Sequence, residues 1–291
     1  TNQAPSIPVD EDGTLNSISR YAPLGATVGI VASSIDPEGT EVTYSLEDPS
    51  EVFEIDSETG VVTVANRDAL QSTASQSLAI TIIASDAGGL TSSQTFVIDV
   101  TNDGTPGDDV ITGTEQDDEI SALAGNDAIL GLAGDDILKG DDGTDMLVGG
   151  AGNDELDGGD GMDYAVYNDA ANGINVDLRE GIASDGDGGS DTLIGIEHVY
   201  GSEYADLIHG DQGANFLFGG AGDDELYGHG GDDFLNGGAG DDQIDGGEGH
   251  DTVSYAENVQ GVSVDLAEQT ADQGYDIGDD LLFNIESVVG T

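Results

Sequence analysis

Two kinds of hydrophobic pattern divide the chain. Over residues 1–103, β-branched and other apolar residues alternate with polar ones in short runs, and turn residues separate the runs. That period of two predicts strands at Val28–Ala32, Val42–Leu46, Val61–Ala65, Leu78–Ala84 and Thr95–Val100. From residue 104 the period becomes nine. Residues 104–166 divide without gap into seven units, from GTPGDDVIT to GGDGMDYAV, and residues 201–254 into six, from GSEYADLIH to GGEGHDTVS. Position eight is Ile, Leu or Val in every unit but one, where it is Ala165. Position six is Asp in every unit but one, where it is Asn215. Two columns held in register over thirteen units do not follow from acidic composition alone.

The spacing has a physical reason. The glycine-rich half of each unit must turn tightly and visit positive φ. The other half is a three-residue strand with one side chain facing inward. Turn and strand make half a coil, so two units close one coil, and units n and n+2 stack with strands ~4.8 Å apart. Stacking brings the sixth-position carboxylates of n and n+2 together with the carbonyls of their turns. Several hard oxygens on an adaptable turn suit Ca²⁺ better than Zn²⁺ or Mg²⁺. The expected metal ligands are therefore Asp109, Asp118, Asp127, Asp136, Asp145, Asp154 and Asp163 in the first run. In the second they are Asp206, Asn215, Asp224, Asp233, Asp242 and Asp251. Gln116 and Tyr204 replace the fourth-position glycine and Asn215 brings no charge, so these sites are expected to be weaker.

This GGxGxDxUx pattern resembles the RTX (repeats-in-toxin) calcium-binding repeats of secreted bacterial proteins, over roughly residues 104–291. The resemblance implies a parallel β-roll, several bound Ca²⁺ ions, and export from a Gram-negative cell by type I secretion to the cell surface or medium. Charge agrees with calcium as the partner. Lys and Arg number 4 against 61 Asp and Glu, a formal charge of −57. Such a chain attracts cations and is not drawn to nucleic acid or an anionic membrane. Without calcium, a glycine-rich acidic segment of this kind is expected to be disordered. Its single apolar column does not offset the cost of ordering the backbone and of carboxylate repulsion. Metal binding and folding should therefore be one event. There is no Cys to staple the chain, and no run of ~18 apolar residues to span a bilayer. The start at Thr1 and the end at Gly290-Thr291, which resembles the opening of a further nonapeptide, read as the cut ends of a longer protein.

Four fragments in the first hundred residues carry a second resemblance. They are Ser34-Ile-Asp-Pro-Glu-Gly39 with Val42-Thr-Tyr-Ser-Leu46, then Phe53-Glu-Ile-Asp-Ser-Glu-Thr-Gly-Val-Val62, Ile83-Ala-Ser-Asp-Ala-Gly88 and Val100-Thr-Asn-Asp103. In that order they resemble the cadherin-like repeats of bacterial surface proteins. The resemblance implies an antiparallel sandwich with calcium at its ends. Asp36, Glu38 and Asp86 would line one end, facing a preceding domain of which residues 1–5 look like the remnant. Glu11 matches the family's glutamate near the first strand, and Asn102 and Asp103 lie at the far end. The family's acidic LDRE-type box reads Leu70-Gln-Ser-Thr73 here, and its DxNDN linker is shortened to Thr-Asn-Asp. That puts a full calcium cluster between sandwich and roll in doubt. Thr105-Pro106 starts the roll with no Gly/Ser linker, which predicts a semi-rigid rod.

Residues 164–200 and 255–289 repeat each other. Gly173-Ile-Asn-Val-Asp-Leu178 matches Gly261-Val-Ser-Val-Asp-Leu266, and Asp191-Thr-Leu-Ile-Gly-Ile-Glu197 matches Asp280-Leu-Leu-Phe-Asn-Ile-Glu286. They read as longer β coils that cap one roll and begin the next. The alternation at Ile174, Val176 and Leu178 fits a half-buried strand. Asp185-Gly-Asp-Gly-Gly-Ser-Asp191 resembles half of an EF-hand loop, but Ile196 stands where the glutamate belongs. A polar loop is the favoured reading there, with loose calcium binding as the alternative. The expected organisation is all-β: a cadherin-like antiparallel β-sandwich over 1–103, a parallel β-roll run over 104–166, a β insert over 167–200, a second run over 201–254 and a truncated insert over 255–291.

Catalytic chemistry finds no foothold in this sequence. It has no HExxH, no G-x-S-x-G elbow and no phosphate-binding loop with a Lys. His209, His229 and His250 sit at variable positions of the nonapeptide, where exposure is expected. Carboxylate pairs are so common that none singles out a glycosidase site. The reading is a calcium-stiffened extracellular segment of an RTX adhesin or surface protein, acting as an extender or display module, with an extracellular polysaccharide or surface protein as a further partner. The alternatives are the non-catalytic accessory region of a secreted enzyme, or a surface-layer lattice protein.

Overall fold

A computed structural model describes residues 2–73, 76–256, 262–272 and 278–290. Thr1, Gly261 and Thr291, which enter the sequence reading, lie outside them. The chain divides into two compact units, Thr1–Thr105 and Pro106–Thr291.

The first unit is a sandwich of two four-stranded sheets. One runs in the order Val9–Asp10, Thr27–Ser33, Val61–Val64 and Phe53–Ile55. The other runs Ser17–Ser19, Thr91–Thr101, Ser77–Ser85 and Thr43–Glu47. Alternation decides which residues face in: along Ser77–Ser85, Leu78, Ile80, Ile82 and Ala84 are buried and their neighbours are not. Leu78, Ile80 and Ile82 meet Val28, Ile30, Val62, Val64 and Ile98 in one apolar core. The helix Arg67–Gln71 ends on the first two residues of the segment Leu70–Thr73 that stands for the acidic LDRE-type box. Asn66 caps it by accepting the Ala69 N–H, and Leu70 plugs the core.

The second unit is a roll with a short three-stranded sheet, Ala124–Gly125, Asp142–Gly143 and Asp160–Gly161, and, among the described residues, two long strand ladders. One ladder has nine strands, from Val110–Thr112 to Ser287–Val289. The other has twelve. Within the runs, pairing is parallel with an 18-residue offset, as in Ile111↔Ile129↔Leu147↔Ala165 and Ile120↔Leu138↔Leu156. Every eighth-position side chain of the thirteen units is buried, so one apolar residue per unit builds the core. Parallel strands this close are possible because each turn is short and glycine-rich.

The first insert does not cap the roll, because both ladders run through it. On the nine-stranded face Ala165 pairs with Val199, and Val199 with Leu217. On the other face Leu156 pairs with Leu193. Two extra strands, Ile182–Ser184 and Asn175–Asp177, are then interposed antiparallel before parallel pairing resumes with Leu207–His209. The reason is legible in Gly186, Gly189, Asp191 and Leu193, which place a fourteenth nonapeptide unit at 186–194. Its strand stacks on the first run as any n+2 unit does. The second insert repeats the device, with Ile244 pairing to Leu282 and antiparallel strands at Thr270–Asp272 and Ser263–Asp265.

Candidate metal centre

Sixth-position carboxylates form vertical ladders through the roll. Asp127 Oδ1 accepts the backbone N–H of Asp109 at 2.7 Å, Asp145 Oδ1 that of Asp127 at 2.8 Å, and Asp163 Oδ1 that of Asp145 at 2.8 Å. On the other edge Asp136 Oδ1 accepts from Asp118 and Asp154 Oδ1 from Asp136, each at 2.8 Å. The second run repeats this from Asp206 to Asp224 to Asp242, and from Asn215 to Asp233 to Asp251. Each carboxylate thus spends one oxygen on the coil before it.

The second oxygen divides the thirteen units into two classes. In Asp127, Asp136, Asp145, Asp154, Asp163, Asp224, Asp233, Asp242 and Asp251, Oδ2 is buried and has no hydrogen-bond partner. A buried anionic oxygen left bare costs far more than folding tolerates, so these atoms call for a cation. In Asp118 and Asp206 the same oxygen is taken, by the N–H of Thr114 and of Ser202, each at 2.6 Å. Asn215 turns its oxygen to Asp211 N–H at 2.8 Å and its NH₂ to the Glu197 carbonyl. Asp109, in the first unit, is only half-buried.

Backbone conformation at position two separates the classes. In all nine units with a bare oxygen, that residue has positive φ: Leu123, Leu132, Asp141, Gly150, Gly159, Gly220, His229, Gly238 and Gly247. None of Thr105, Thr114, Ser202 and Asp211 does. In Thr114, Ser202 and Asp211 the N–H points into the turn and satisfies the side chain; the left-handed residues offer it no such bond. Four of those nine are not glycine, a conformation that costs ~1 kcal/mol or more each for L-residues.

The cradle is tight. A Cβ on Gly131, Gly149, Gly219 or Gly237, at position one, would collide with the bare oxygen of the same unit. Among the described residues no three Asp, Glu or His side chains converge on a metal position. An ion here must draw on carboxylates and turn carbonyls together, which is how Ca²⁺ reaches six to eight oxygens. Burial is the first cause of the raised pKa values and neighbouring carboxylates add to it, against the ladder N–H groups. Asp127, Asp136 and Asp163 are pushed up to about 6, and Asp224, Asp233 and Asp242 to about 7.

The inserts carry ladder residues that sequence reading did not assign. Asp191 Oδ1 accepts the Asp154 N–H at 3.1 Å and Glu197 Oε2 the Asp163 N–H at 2.9 Å. Asp280 and Glu286 do the same for Asp242 and Asp251. Here a tyrosine takes the second oxygen: Tyr167 Oη donates to Asp191 Oδ2 at 2.9 Å, and Tyr255 Oη to Asp280 Oδ2 at 2.7 Å. The duplicated blocks contained the signal for Asp191, Asp280 and the two glutamates, but not the tyrosine partnership.

At the sandwich end, Asp86 Oδ1 holds its own turn and its Oδ2 accepts from Asn2 Nδ2 at 2.7 Å. Glu38 accepts from the backbone and side chain of Gln3, each at 3.0 Å. Asp36 is buried, with Oδ1 on the N–H groups of Glu38 and Thr40 and Oδ2 bare. All three therefore belong to the end of the sandwich where residues 2–6 attach. The histidines differ from expectation: His209 and His229 are half-buried and hydrogen-bonded to each other at 3.0 Å, while His198 is buried with Nδ1 accepting the Phe216 N–H. His250 is exposed, as read. No helix among the described residues is long and apolar enough to cross a membrane.

Comparison with known proteins bears on the roll. The sequence model of the RTX calcium-binding nonapeptide repeat matches residues 103–138, 139–168, 185–226, 200–235 and 218–253. RTX nonapeptide repeats bind calcium, and the bare oxygens are where this chain is suited to it. No curated protein sequence matches the chain. Among solved structures it is similar to human protocadherin-24 EC1-2, with 21% identity over 39% of this chain and 54% of that one, TM-score 0.29. It is also similar to Drosophila N-cadherin EC1-3, with 18% identity over 34% of each chain, TM-score 0.27. The chain spans about half or less of the length of these structures.

Proposed function

We propose that this chain, which carries RTX calcium-binding nonapeptide repeats behind a β-sandwich, is a calcium-folded extracellular segment of a secreted adhesin or surface protein. It extends or displays the domains around it and carries no catalytic site. The ligands we assign are the nine sixth-position aspartates with a bare Oδ2, together with carbonyls of the adjoining turns. Asp109, Asp118, Asp206 and Asn215 start each run and serve as ladder ends with weak or no metal contact. Asp36, Glu38 and Asp86 form a separate acidic end that would complete a calcium site with a preceding domain.

Calcium would supply the positive charge that the stacked carboxylates lack. The single observation behind this reading is the column of nine buried, unpartnered carboxylate oxygens. Such a stack is unstable without a cation and stiff with one, which suits a segment that crosses a secretion channel unfolded and folds outside at higher calcium. Single-molecule stretching tests the extender role. In millimolar calcium the roll should resist force as a folded block, and in chelator it should extend as a coil from zero force. A roll that yields at the same force in both would overturn the reading.

A second reading, recognition of a polysaccharide, draws on one feature. Tyr200 and Phe218 stack at 4.5 Å on the nine-stranded face, beside a cavity of about 350 Å³ lined also by Asn236, Gly238 and Tyr255. Binding of the chain to a glycan array in calcium, lost on Phe218→Ala, would favour that reading over the plain extender.

A further inference from the structure

The half EF-hand stretch, favoured on sequence as a polar loop with loose calcium binding as the alternative, exposes Asp187, Gly188 and Ser190 but is anchored by buried carboxylates. Asp185 is 1% exposed, and its Oδ1 accepts three successive backbone N–H groups, from Asp187, Gly188 and Gly189, at 2.8–2.9 Å. Its Oδ2 is buried and has no partner. The coil on which this turn stacks presents Asp154, 2% exposed, whose Oδ2 is also buried and bare. Of the charges acting on Asp154, Asp185 is the strongest.

A backbone oxygen completes the constellation. A Cβ added at Gly189 would collide with the carbonyl oxygen of Gly152 and stand 2.7 Å from Asp185 Oδ2, so those two oxygens border the same small space. The regular units bring up the same stacked carbonyl, but there the nearest carboxylate oxygen is the sixth-position Oδ1, at 3.2–3.5 Å from a Cβ on Gly143, Gly161 or Gly249. Asp191, the sixth-position residue here, is already committed through both oxygens, to Asp154 N–H and to Tyr167. A hydroxyl proton thus satisfies one part of the turn, while Asp185 Oδ2 and Asp154 Oδ2 are left bare in the other.

We propose that Asp185 and Asp154, with the carbonyl of Gly152, hold a calcium ion at the junction of the first run and the insert, outside the regular repeat register. The ion takes its negative ligand from position zero of the 186–194 unit rather than from position six. It fastens the turn of the insert to the last coil of the first run, so the roll carries its calcium ladder up to the place where the extra strands enter. This deepens the reading of Asp154 as a calcium ligand and rests on it. In the second insert the residue aligned with Asp185, counted from Asp280, is Gly274, which lies outside the described residues.

Native mass spectrometry of the full chain at saturating calcium tests the assignment. Asp185→Asn keeps an oxygen for the three turn N–H groups and replaces the bare oxygen with an NH₂, a donor that repels a cation. The expected result is one calcium fewer than in the parent, with the strand signal in circular dichroism unchanged. An unchanged ion count would overturn the proposal and leave Asp185 as a turn holder. Asp154→Asn, measured beside it, separates the two layers: loss of an ion there but not in Asp185→Asn keeps the repeat reading and sinks the junction site. Loss in neither contradicts both. If Asp185→Asn does not fold, hydrogen exchange on the parent decides: the amides of Asp187, Gly188 and Gly189 should gain protection on calcium addition, and equal protection in chelator would contradict the site.

Discussion

The repeat coils and the insert coils face one problem and solve it differently. Both stack a carboxylate over the coil before it and use one oxygen to hold that coil's N–H. In the repeats the other oxygen is bare, buried and suited to calcium, as at Asp136 and Asp224. In the inserts a tyrosine hydroxyl occupies it, as at Asp191 and Asp280. At the start of each run a backbone N–H does so, as at Asp118 and Asp206. A buried carboxylate needs a donor or a cation, and the fold supplies one of three. Where the chain cannot supply a proton donor, stability depends on the medium; where it can, the coil closes on its own.

The largest effect should come from the middle of an uninterrupted ladder. Asp136→Ala removes a bare oxygen and also orphans the N–H of Asp118, which alone costs ~1–3 kcal/mol. Calcium titration by calorimetry should show weakened binding in the first run, and limited proteolysis should cut near residues 113–139. Equal titrations and equal cleavage in parent and variant would break the stacking assignment.

Acidity gives the next effect, with opposite signs in the two states. With calcium, protons compete for the bare oxygens, so affinity falls as pH drops through about 7 in the second run and about 6 in the first. Calcium should therefore leave both runs on acidification, seen as loss of protection of Leu226, Leu235, Ile129 and Leu138. In chelator the raised carboxyl groups bind protons more tightly folded than unfolded. The metal-free roll is then least unstable below the unfolded value of 3.8, and loses that relief as pH rises through 6 and 7. Ladders that keep their calcium and their protection down to about pH 5 would contradict the raised carboxylate pKa values.

Tyr167→Phe tests the hydroxyl as a substitute for metal. It leaves Asp191 Oδ2 buried and bare, at a cost of ~1–3 kcal/mol, and the thermal midpoint in calcium should fall. Asp191→Asn in the same background should recover part of the loss. The smallest effect is a gain. Thr114→Gly lets position two turn left-handed, withdraws the N–H from Asp118, and should add one weakly held calcium by native mass spectrometry. No added ion would show that the position-two amide is not what closes the site.

How much of this could be read from residues follows from the physics of each part. The nonapeptide columns fixed strands, coil closure and the ladder, because a nine-residue period with one inward residue has one way to stack. The longer sandwich strands followed from alternation, although Val9–Asp10, Ser17–Ser19, Phe53–Ile55 and the Leu70 helix did not, being too short to show a period. The insert misled because its 186–194 unit is displaced from the register by a hairpin whose length no repeat rule sets. The tyrosine partners lie 24 and 25 residues before their aspartates, across that hairpin. Left-handed position two was hidden because Leu123, Leu132, Asp141 and His229 adopt it without being glycine.

The most direct measurement is hydrogen exchange on the whole chain at pH 7.5, in millimolar calcium and in chelator. In calcium, amides of both ladders, from Ile111 to Val253, should be protected. In chelator they should exchange as in an unfolded chain, while Ile80 and Ile82 in the sandwich keep their protection, since that unit has an apolar core of its own. Ladders equally protected in both conditions would contradict the claim that calcium binding and folding of the roll are one event.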